Sequence, residues 1–253
     1  MGRRVRPGTA TLKALMLLAA IVGWLAGPFG LAQDGLENTV GTVGTTTYDS
    51  GGRPWAYLFW QGSSPGLVLG RTYAIYAKPG DPASPAPYAR VSVVTQQTDA
   101  RNIEPLLRRA ENVGQNPAKL EADLQSVFAA LMPAGSISRA EKLSAAIRGS
   151  LNNEEHFQNL LLMARLHPGV AMVLGVAYAD LIAPGLTTYE IRLFDPTQEQ
   201  DLAVIGRVTL DPTVPTVLPP PGPPVECLDA SARGDINVKL RWATPDPLRR
   251  LGL

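Results

Sequence analysis

The chain has 253 residues, of which 45% are hydrophobic and 18% are charged, and it contains one cysteine. This length is sufficient for one large domain, or for one domain with additional fragments. A formal net charge of +1, without a basic cluster interleaved with aromatic residues, argues against nucleic acid as a partner. A single cysteine excludes an internal disulfide, so we expect stability to come from the area of the core.

The first 32 residues have the composition of an export signal. Four basic residues precede an apolar run at positions 14–25, and small residues at positions 30 and 32 come before Gln33. This pattern predicts a signal peptide, residues 1–32, that is cleaved before Gln33. The alternative is an uncleaved anchor, but the run is shorter than the roughly 20 residues that span a bilayer. The 19 basic and 22 acidic residues of the remainder give a formal charge of −3.

The next part of the chain predicts a flexible segment followed by strands. Residues 33–53 are rich in Gly and Thr and lack apolar periodicity, so we expect them to form a flexible segment leading into the first strand. Three strands are then predicted, because runs of aromatic and β-branched residues are bounded by Pro and Gly. These strands cover residues 55–60, 71–78 and 88–95.

At about residue 99 the apolar period changes from 2 to 3.6, and it stays helical to about residue 175. This region therefore predicts four or five helices. The start signals, in chain order, are Asn102, Asn116-Pro117, Ser138 with Glu141, Asn152 with Glu155, and Pro168. Asparagine before proline and a serine three residues before glutamate are both typical of helix N-termini.

After the helices the strand period returns. We predict strands at residues 178–182, 187–194 and 203–210, followed by a proline-rich linker at residues 213–224. Strict apolar/polar alternation from Ile236 to Trp242 predicts one more strand.

The order of strands, helices and strands predicts a mixed α and β fold. Residues 54–212 are expected to form one β-sandwich with a helical insertion at about residues 99–175, because neither strand set alone satisfies its edges. Residues 225–253 are expected to begin a second sandwich module that is incomplete and cannot fold alone.

Several stretches resemble fibronectin type III modules of bacterial exported proteins. They are residues 234–245, with Trp242 and Pro245; residues 174–180 with Pro184-Gly185 and 189–192; and Trp60 with residues 71–76. The resemblance implies a sandwich with a core tryptophan over residues 55–98 and 176–212, and a binding, spacing or adhesive role by analogy of fold. The helical region departs from such modules, which have only a loop there.

No catalytic, cofactor-binding or metal-binding residue is predicted. His156 and His167 are 11 positions apart, too far for one ion on one helix, so we expect a solvated first turn at Glu154-Glu155 and a helix cap at His167. The tripeptide Arg233-Gly234-Asp235 spells an integrin-binding motif, but we favour ordinary turn chemistry before a strand as its explanation. The acidic residues 195–201 lack the glycine of a calcium loop and predict a solvated hairpin loop.

These observations favour a non-enzymatic binding or spacer module, exported and then secreted, periplasmic or on the cell surface. Its partner would be an unknown protein or polysaccharide, and no cofactor is expected. The alternative is the N-terminal accessory region of a larger secreted hydrolase whose catalytic domain lies beyond Leu253. The apolar residues 160–162 and 170–176 are expected to complete the sandwich core, and the alternative is an exposed groove for a partner.

Overall fold

The computed structural model describes residues 40–62, 69–133, 135, 137–213, 224–230 and 236–242. The strands are β1 (Val40–Tyr48), β2 (Pro54–Gly62), β3 (Thr72–Pro79), β4 (Ala89–Thr95), β5 (Ala177–Leu181), β6 (Thr187–Asp195), β7 (Gln200–Leu210), β8 (Pro224–Ala230) and β9 (Ile236–Trp242). The helices are α1 (Ala100–Glu111), α2 (Pro117–Val127), α3 (Arg139–Ser150), α4 (Glu154–Leu166) and α5 (Pro168–Val173), with a 3-10 turn at Ala129–Leu131.

The strands form antiparallel sheets, and the helices lie between β4 and β5 in the chain. One sheet has three strands in the order β1-β2-β5, and the other has four in the order β4-β3-β6-β7. Strands β8 and β9 pair with each other as a two-stranded sheet. The predicted mixed α and β class is confirmed at this level.

The inner faces of the three- and four-stranded sheets share one apolar core. Trp60 of β2 is fully buried, and its ring meets the ring of Tyr73 of β3 edge-on at a centroid distance of 5.4 Å. Leu58, Ile75 and Ile191 are fully buried in the same cluster. The alternation of apolar residues along β2, β3 and β6 therefore points one face of each strand into this core.

The prediction of a flexible segment at residues 33–53 is wrong for residues 40–48. These residues form β1, which pairs with β2 along its whole length, from Val40 opposite Gly62 to Tyr48 opposite Pro54. The Asp49 carboxylate closes this hairpin, because Oδ1 accepts hydrogen bonds from the backbone N–H groups of Gly51 and Arg53.

A close crossing of two strands explains why β1 looks featureless in the sequence. A Cβ on Gly206 of β7 would lie 2.7 Å from the Cβ of Thr42, and a Cβ on Gly44 would collide with the side chain of Val208 on β7. The small residues that make β1 look flexible are therefore the ones that let β1 pack against β7.

The helices begin close to the predicted positions, with two corrections. The Ser138–Glu141 capping box and the Asn116 cap are confirmed. Helix α1 is capped by Asp99, whose side chain accepts from Arg101 N, so the predicted Asn102 start is wrong. Helix α4 is capped by Asn153, one residue after the predicted Asn152. In each case the nearest side-chain oxygen in extended backbone takes the cap.

The apolar helical residues at 160–162 and 170–176 mostly pack into the core, as predicted. Residues 170–174 and Val176 are buried, and α5 leads into β5 through Gly175, which has a φ of 75°. Of residues 160–162, Leu162 is exposed while Leu160 and Leu161 are buried. The helical layer is therefore part of the same folded unit as the sheets.

The predicted signal peptide, most of the predicted linker at 213–224, and the Arg233-Gly234-Asp235 tripeptide lie outside the described residues. Within the described part of the chain, no helix has the length and apolar character needed to cross a membrane. The predicted strand at Ile236–Trp242 is confirmed as β9.

Candidate binding face on the four-stranded sheet

Strand register places a row of polar side chains on the outer face of the four-stranded sheet. Ile75 and Ile191 are opposite each other in the core, so their neighbours Tyr76 and Glu190 point to the other face. Glu190 is in turn opposite Arg207 of β7. Three adjacent strands thus bring a tyrosine, a glutamate and an arginine side by side.

The centre of this row is a buried carboxylate held by two arginines. The Glu190 side chain is only 3% exposed; Oε1 accepts from Arg192 Nε at 2.6 Å and Oε2 accepts from Arg207 Nε at 2.5 Å. Arg192 Nη1 also donates to Asp201 Oδ2 at 2.7 Å. Burial alone would lower the pKa of Arg192, but the hydrogen bonds to Asp201 and Glu190 outweigh it and raise that pKa. The two acids and two arginines balance in charge.

Two tyrosines flank Arg192. Its guanidinium carbon lies 4.1 Å from the ring centroid of Tyr76 and 5.9 Å from that of Tyr88. The Tyr76 hydroxyl donates to Asp201 Oδ1 at 3.2 Å, and Tyr88 shares a hydrogen bond with Arg207. Burial raises the pKa of both hydroxyl groups, so both stay protonated at neutral pH. We call Tyr76, Tyr88, Glu190, Arg192, Asp201 and Arg207 the tyrosine–arginine face.

A buried lysine fixes the loop that carries Tyr88. Lys78 Nζ donates to the carbonyl oxygens of Pro82 at 2.7 Å and Ser84 at 2.8 Å, and it lies 4.9 Å from the Tyr88 ring centroid. Thr188 Oγ1 donates to Gly80 O at 2.7 Å. The loop between β3 and β4 is therefore held against the sheet by side chains beneath it, and Tyr88 is preorganised.

Tyrosine and arginine, with tryptophan, are enriched among the few residues that carry most of the binding energy at protein interfaces. A tyrosine ring offers a large amphipathic contact area and loses little rotamer entropy on binding. Because the rings and guanidinium groups are already fixed by one another, the tyrosine–arginine face can contact a partner without first being ordered.

The two histidines do not come together. The His156 ring packs against Phe128, with centroids 6.0 Å apart, whereas His167 is buried between α2 and the junction of α4 and α5. His167 is the cap residue at the end of α4 and at the start of α5, as predicted, although its side chain makes no cap hydrogen bond. The imidazole instead bridges Gln115, at 3.1 Å from Nδ1, and Asp123, at 2.8 Å from Nε2.

Hydrogen bonding fixes the tautomer of His167. Gln115 Oε1 accepts from Gly169 N at 3.1 Å, so the amide nitrogen of Gln115 faces His167 Nδ1 as a donor. Nδ1 must therefore accept, and the proton lies on Nε2, directed at Asp123. Both ring nitrogens of His167 therefore make hydrogen bonds, and the side chain links the helices that carry its partners.

The loop of the β6–β7 hairpin lies within the predicted stretch 195–201, and it comprises residues 196–199, because Asp195 ends β6 and Gln200 begins β7. Asp195 Oδ1 accepts from Thr197 N at 2.8 Å and from Gln198 N at 3.3 Å, which is a side-chain turn. Glu199 has a φ of 50°, the left-handed conformation such turns use. Within the described ranges, no three His, Cys, Asp or Glu side chains are grouped to hold a metal ion.

The tyrosine–arginine face was missed from the sequence. Glu190 and Arg192 alternate with apolar residues, as on any half-exposed strand. Glu190 is opposite Tyr76, which is 114 positions away in the chain, and opposite Arg207, which is 17 positions away. The sequence of one strand alone does not specify this register. In the sequence, only the two-residue period of β6 indicated that Glu190 and Arg192 lie on the same side of that strand.

Comparison of the chain with protein-family models, with curated proteins and with solved structures finds no match in any of the three.

Proposed function

We propose that this chain is an exported, non-enzymatic binding module of the fibronectin type III kind, and that its tyrosine–arginine face holds a protein partner outside the cytoplasm. The observation that carries this proposal is the placement of Tyr76 and Tyr88 on either side of Arg192, 4.1 and 5.9 Å from its guanidinium carbon. Such a fixed group of aromatic and arginine side chains matches the composition of protein-interface hot spots.

The fibronectin type III assignment has two supports. Seven strands in two antiparallel sheets fit the architecture of that family. The burial of Trp60 on β2, next to Tyr73 on β3, supports the core tryptophan that the sequence resemblance implies. In this proposal the helices between β4 and β5 are an insertion into the sandwich.

Charge favours a protein with acidic groups over a neutral polysaccharide. At the edge of the face, Arg207 has a side chain that is 48% exposed, and Arg90 is exposed above the ring of Phe194, 5.4 Å from its centroid. Carboxylates of a partner would meet these cations at the rim, where they steer association and fix orientation.

Site-specific photo-crosslinking tests the proposal. A photoreactive phenylalanine derivative at Tyr88 keeps an aromatic ring in the face, and the same group at the exposed Tyr48 of β1 serves as the matched control. In the exported protein fraction of the native host, we expect a discrete adduct from position 88, absent from position 48 and lost when Tyr76 is replaced by alanine. Identical adducts from both positions, or none from position 88, would overturn the binding role.

Export is tested separately by the mass of the protein recovered outside the cytoplasm. The proposal expects the first residue of that protein to be Gln33. A recovered chain that retains residues 1–32 would contradict a cleaved signal peptide and favour an anchor.

A further inference from the structure

The two sheets meet differently at the two sides of the sandwich. On one side, β7 packs against β1 through the close approach of Gly206 to Thr42. On the other side, the edge strands β4 and β5 do not pair with each other, and the chain leaves the sheets after β4 and returns before β5. A cleft of about 80 Å³ lies there, between β4, α1, α5 and β5. We call it the edge cleft, and the side chains that decide its chemistry are Ser92, Val94, Leu106, Arg109, Met172 and Tyr178.

The strand register directs side chains of both sheets into the edge cleft. Ser92 and Val94 of β4 are opposite core residues of β3, so both point to the inner side of their sheet. Tyr178 of β5 is opposite the buried Leu58, so it points inward from the other sheet. Met172 and Tyr178 are buried and form the floor. The edge cleft is therefore an opening into the side of the sandwich with a mainly apolar lining.

Two polar side chains of the edge cleft have uncommitted donors. Arg109, in the last turn of α1, is exposed, and its guanidinium makes neither an ion pair nor a hydrogen bond with another described residue. The Ser92 hydroxyl likewise makes no hydrogen bond within the described part of the chain. By contrast, the Tyr178 hydroxyl already donates to Asp180 Oδ2 at 2.7 Å. A ligand in the edge cleft would therefore meet the Arg109 guanidinium and the Ser92 hydroxyl as its donors.

The charge of Arg109 acts on the floor of the edge cleft. Burial is the main cause that raises the pKa of the Tyr178 hydroxyl, and the nearby charge of Arg109 opposes that rise. The Asp180 carboxylate accepts from Tyr178 and from the backbone N–H of Leu181, and it makes no ion pair with Arg109. The edge cleft thus combines apolar walls with one cation that has no anionic partner among the described residues.

The volume limits a ligand to a few atoms. An enclosed apolar cavity of about 150 Å³ holds benzene. In proportion, about 80 Å³ encloses roughly three or four non-hydrogen atoms, and the open mouth leaves space for about one more. A peptide strand, a nucleotide or a sugar ring is too large, since the sites of such ligands have volumes of about 300–1,000 Å³.

We propose that the edge cleft binds a small aliphatic monocarboxylate of the size of acetate or propionate. The carboxylate accepts hydrogen bonds from the Arg109 guanidinium and the Ser92 hydroxyl, because charge-assisted pairs of this kind are the strongest hydrogen bonds that these side chains can make. The aliphatic end lies against Val94, Leu106 and Met172, where its apolar surface is removed from water.

The same side chains select against other small molecules. A neutral amide of the same shape leaves the charge of Arg109 without a counter-charge and loses the charge-assisted hydrogen bond. Phosphate and sulfate have no apolar end to cover Val94 and Met172. Because so few atoms of the ligand contact the protein, we expect a dissociation constant on the order of 1–10 mM.

An NMR titration of the whole isotope-labelled chain with sodium propionate, at constant ionic strength, tests the site. We expect saturable shifts of the backbone amides of residues 92–97 and of the Arg109 side-chain Nε–H. Arg109→Gln should weaken the affinity at least about tenfold, because it removes the charge-assisted hydrogen bonds. The matched control is Arg108→Gln, since Arg108 is the neighbouring residue of α1, its side chain is 74% exposed, and it pairs with Glu104. This control should leave the affinity for propionate unchanged.

A second ligand and a second variant check the assigned contacts. Propionamide, which matches propionate in size but is neutral, should give no saturable shifts, and Ser92→Ala should weaken propionate binding while keeping the charge of Arg109. Shifts that do not saturate, shifts that propionamide reproduces, or an equal effect of the two arginine substitutions would refute the site. An unchanged affinity in Ser92→Ala would contradict the placement of the carboxylate. None of these residues belongs to the tyrosine–arginine face, so failure here leaves the proposed binding role standing.

Discussion

Replacing Glu190 with alanine tests whether the tyrosine–arginine face is held together from beneath. The Glu190 carboxylate is nearly fully buried and accepts from two arginines at 2.6 and 2.5 Å. Removing one partner of a buried ion pair costs about 3–5 kcal/mol, because the remaining charge loses its compensation. Arg207 is half exposed and can be hydrated, and Arg192 keeps its bond to Asp201, so we expect the lower end, about 3 kcal/mol.

Urea denaturation measures this loss. With a slope of about 2 kcal/mol/M, a change of about 3 kcal/mol lowers the unfolding midpoint by about 1.5 M at unchanged slope. The matched control is Glu104→Ala, which removes an exposed i,i+4 pair with Arg108, whose side chain is 74% exposed, and should cost no more than about 0.5 kcal/mol. If the Glu190→Ala midpoint falls no further than that of the control, the ion-pair network does not support the face and the reasoning is wrong.

Other substitutions test the loop, the hairpin and the strand crossing. Lys78→Met should leave two carbonyl oxygens without their donor and destabilise the fold by about 1–3 kcal/mol, and limited proteolysis should cut within residues 81–88 faster than in the parent. The backbone hydrogen bond from Arg53 lowers the pKa of Asp49 to about 2. The ionised Asp49 carboxylate therefore contributes its full stabilisation above about pH 4, and this stabilisation is lost as the pH falls towards about 2. In Asp49→Asn, the melting temperature should lose this acid dependence. Gly206→Ala should destabilise the fold by about 1–3 kcal/mol through its contact with Thr42, and by about 1 kcal/mol less in a Thr42→Gly background. Equal costs in the two backgrounds would show that the contact with Thr42 is not the cause.

Local patterns predicted most of the elements. The strands at β2, β3, β6, β7 and β9 follow from their two-residue period, because that period reflects which face is buried, whatever the partner strand. The capping box at Ser138 follows from spacing alone, since the hydrogen bonds of a cap are made within four residues. Such features are local, and the sequence contains all of their partners.

Strand β1 could not be predicted in this way. Its residues are mainly glycine and threonine, which read as a flexible segment when no partner is known. The structural role of these small residues depends on β7, which packs across β1, because Gly44 and Gly206 provide the space for that crossing. Likewise, the position of His167 next to a helix end predicts the cap that it forms, but not the partners of its side chain, Gln115 and Asp123, which are on a different part of the helical layer.

The sequence by itself determined the class of the fold, the positions of most strands and helices, and the turn at residues 195–201, because each depends on contacts within a few residues or on which face is buried. Only the tertiary structure decided that Tyr76, Tyr88, Glu190, Arg192 and Arg207 form one face, and that β3 lies between β4 and β6 in the four-stranded sheet. The physical reason is that strand order and register are set by pairing between distant segments, and a shift of one residue would turn every one of these side chains to the opposite side.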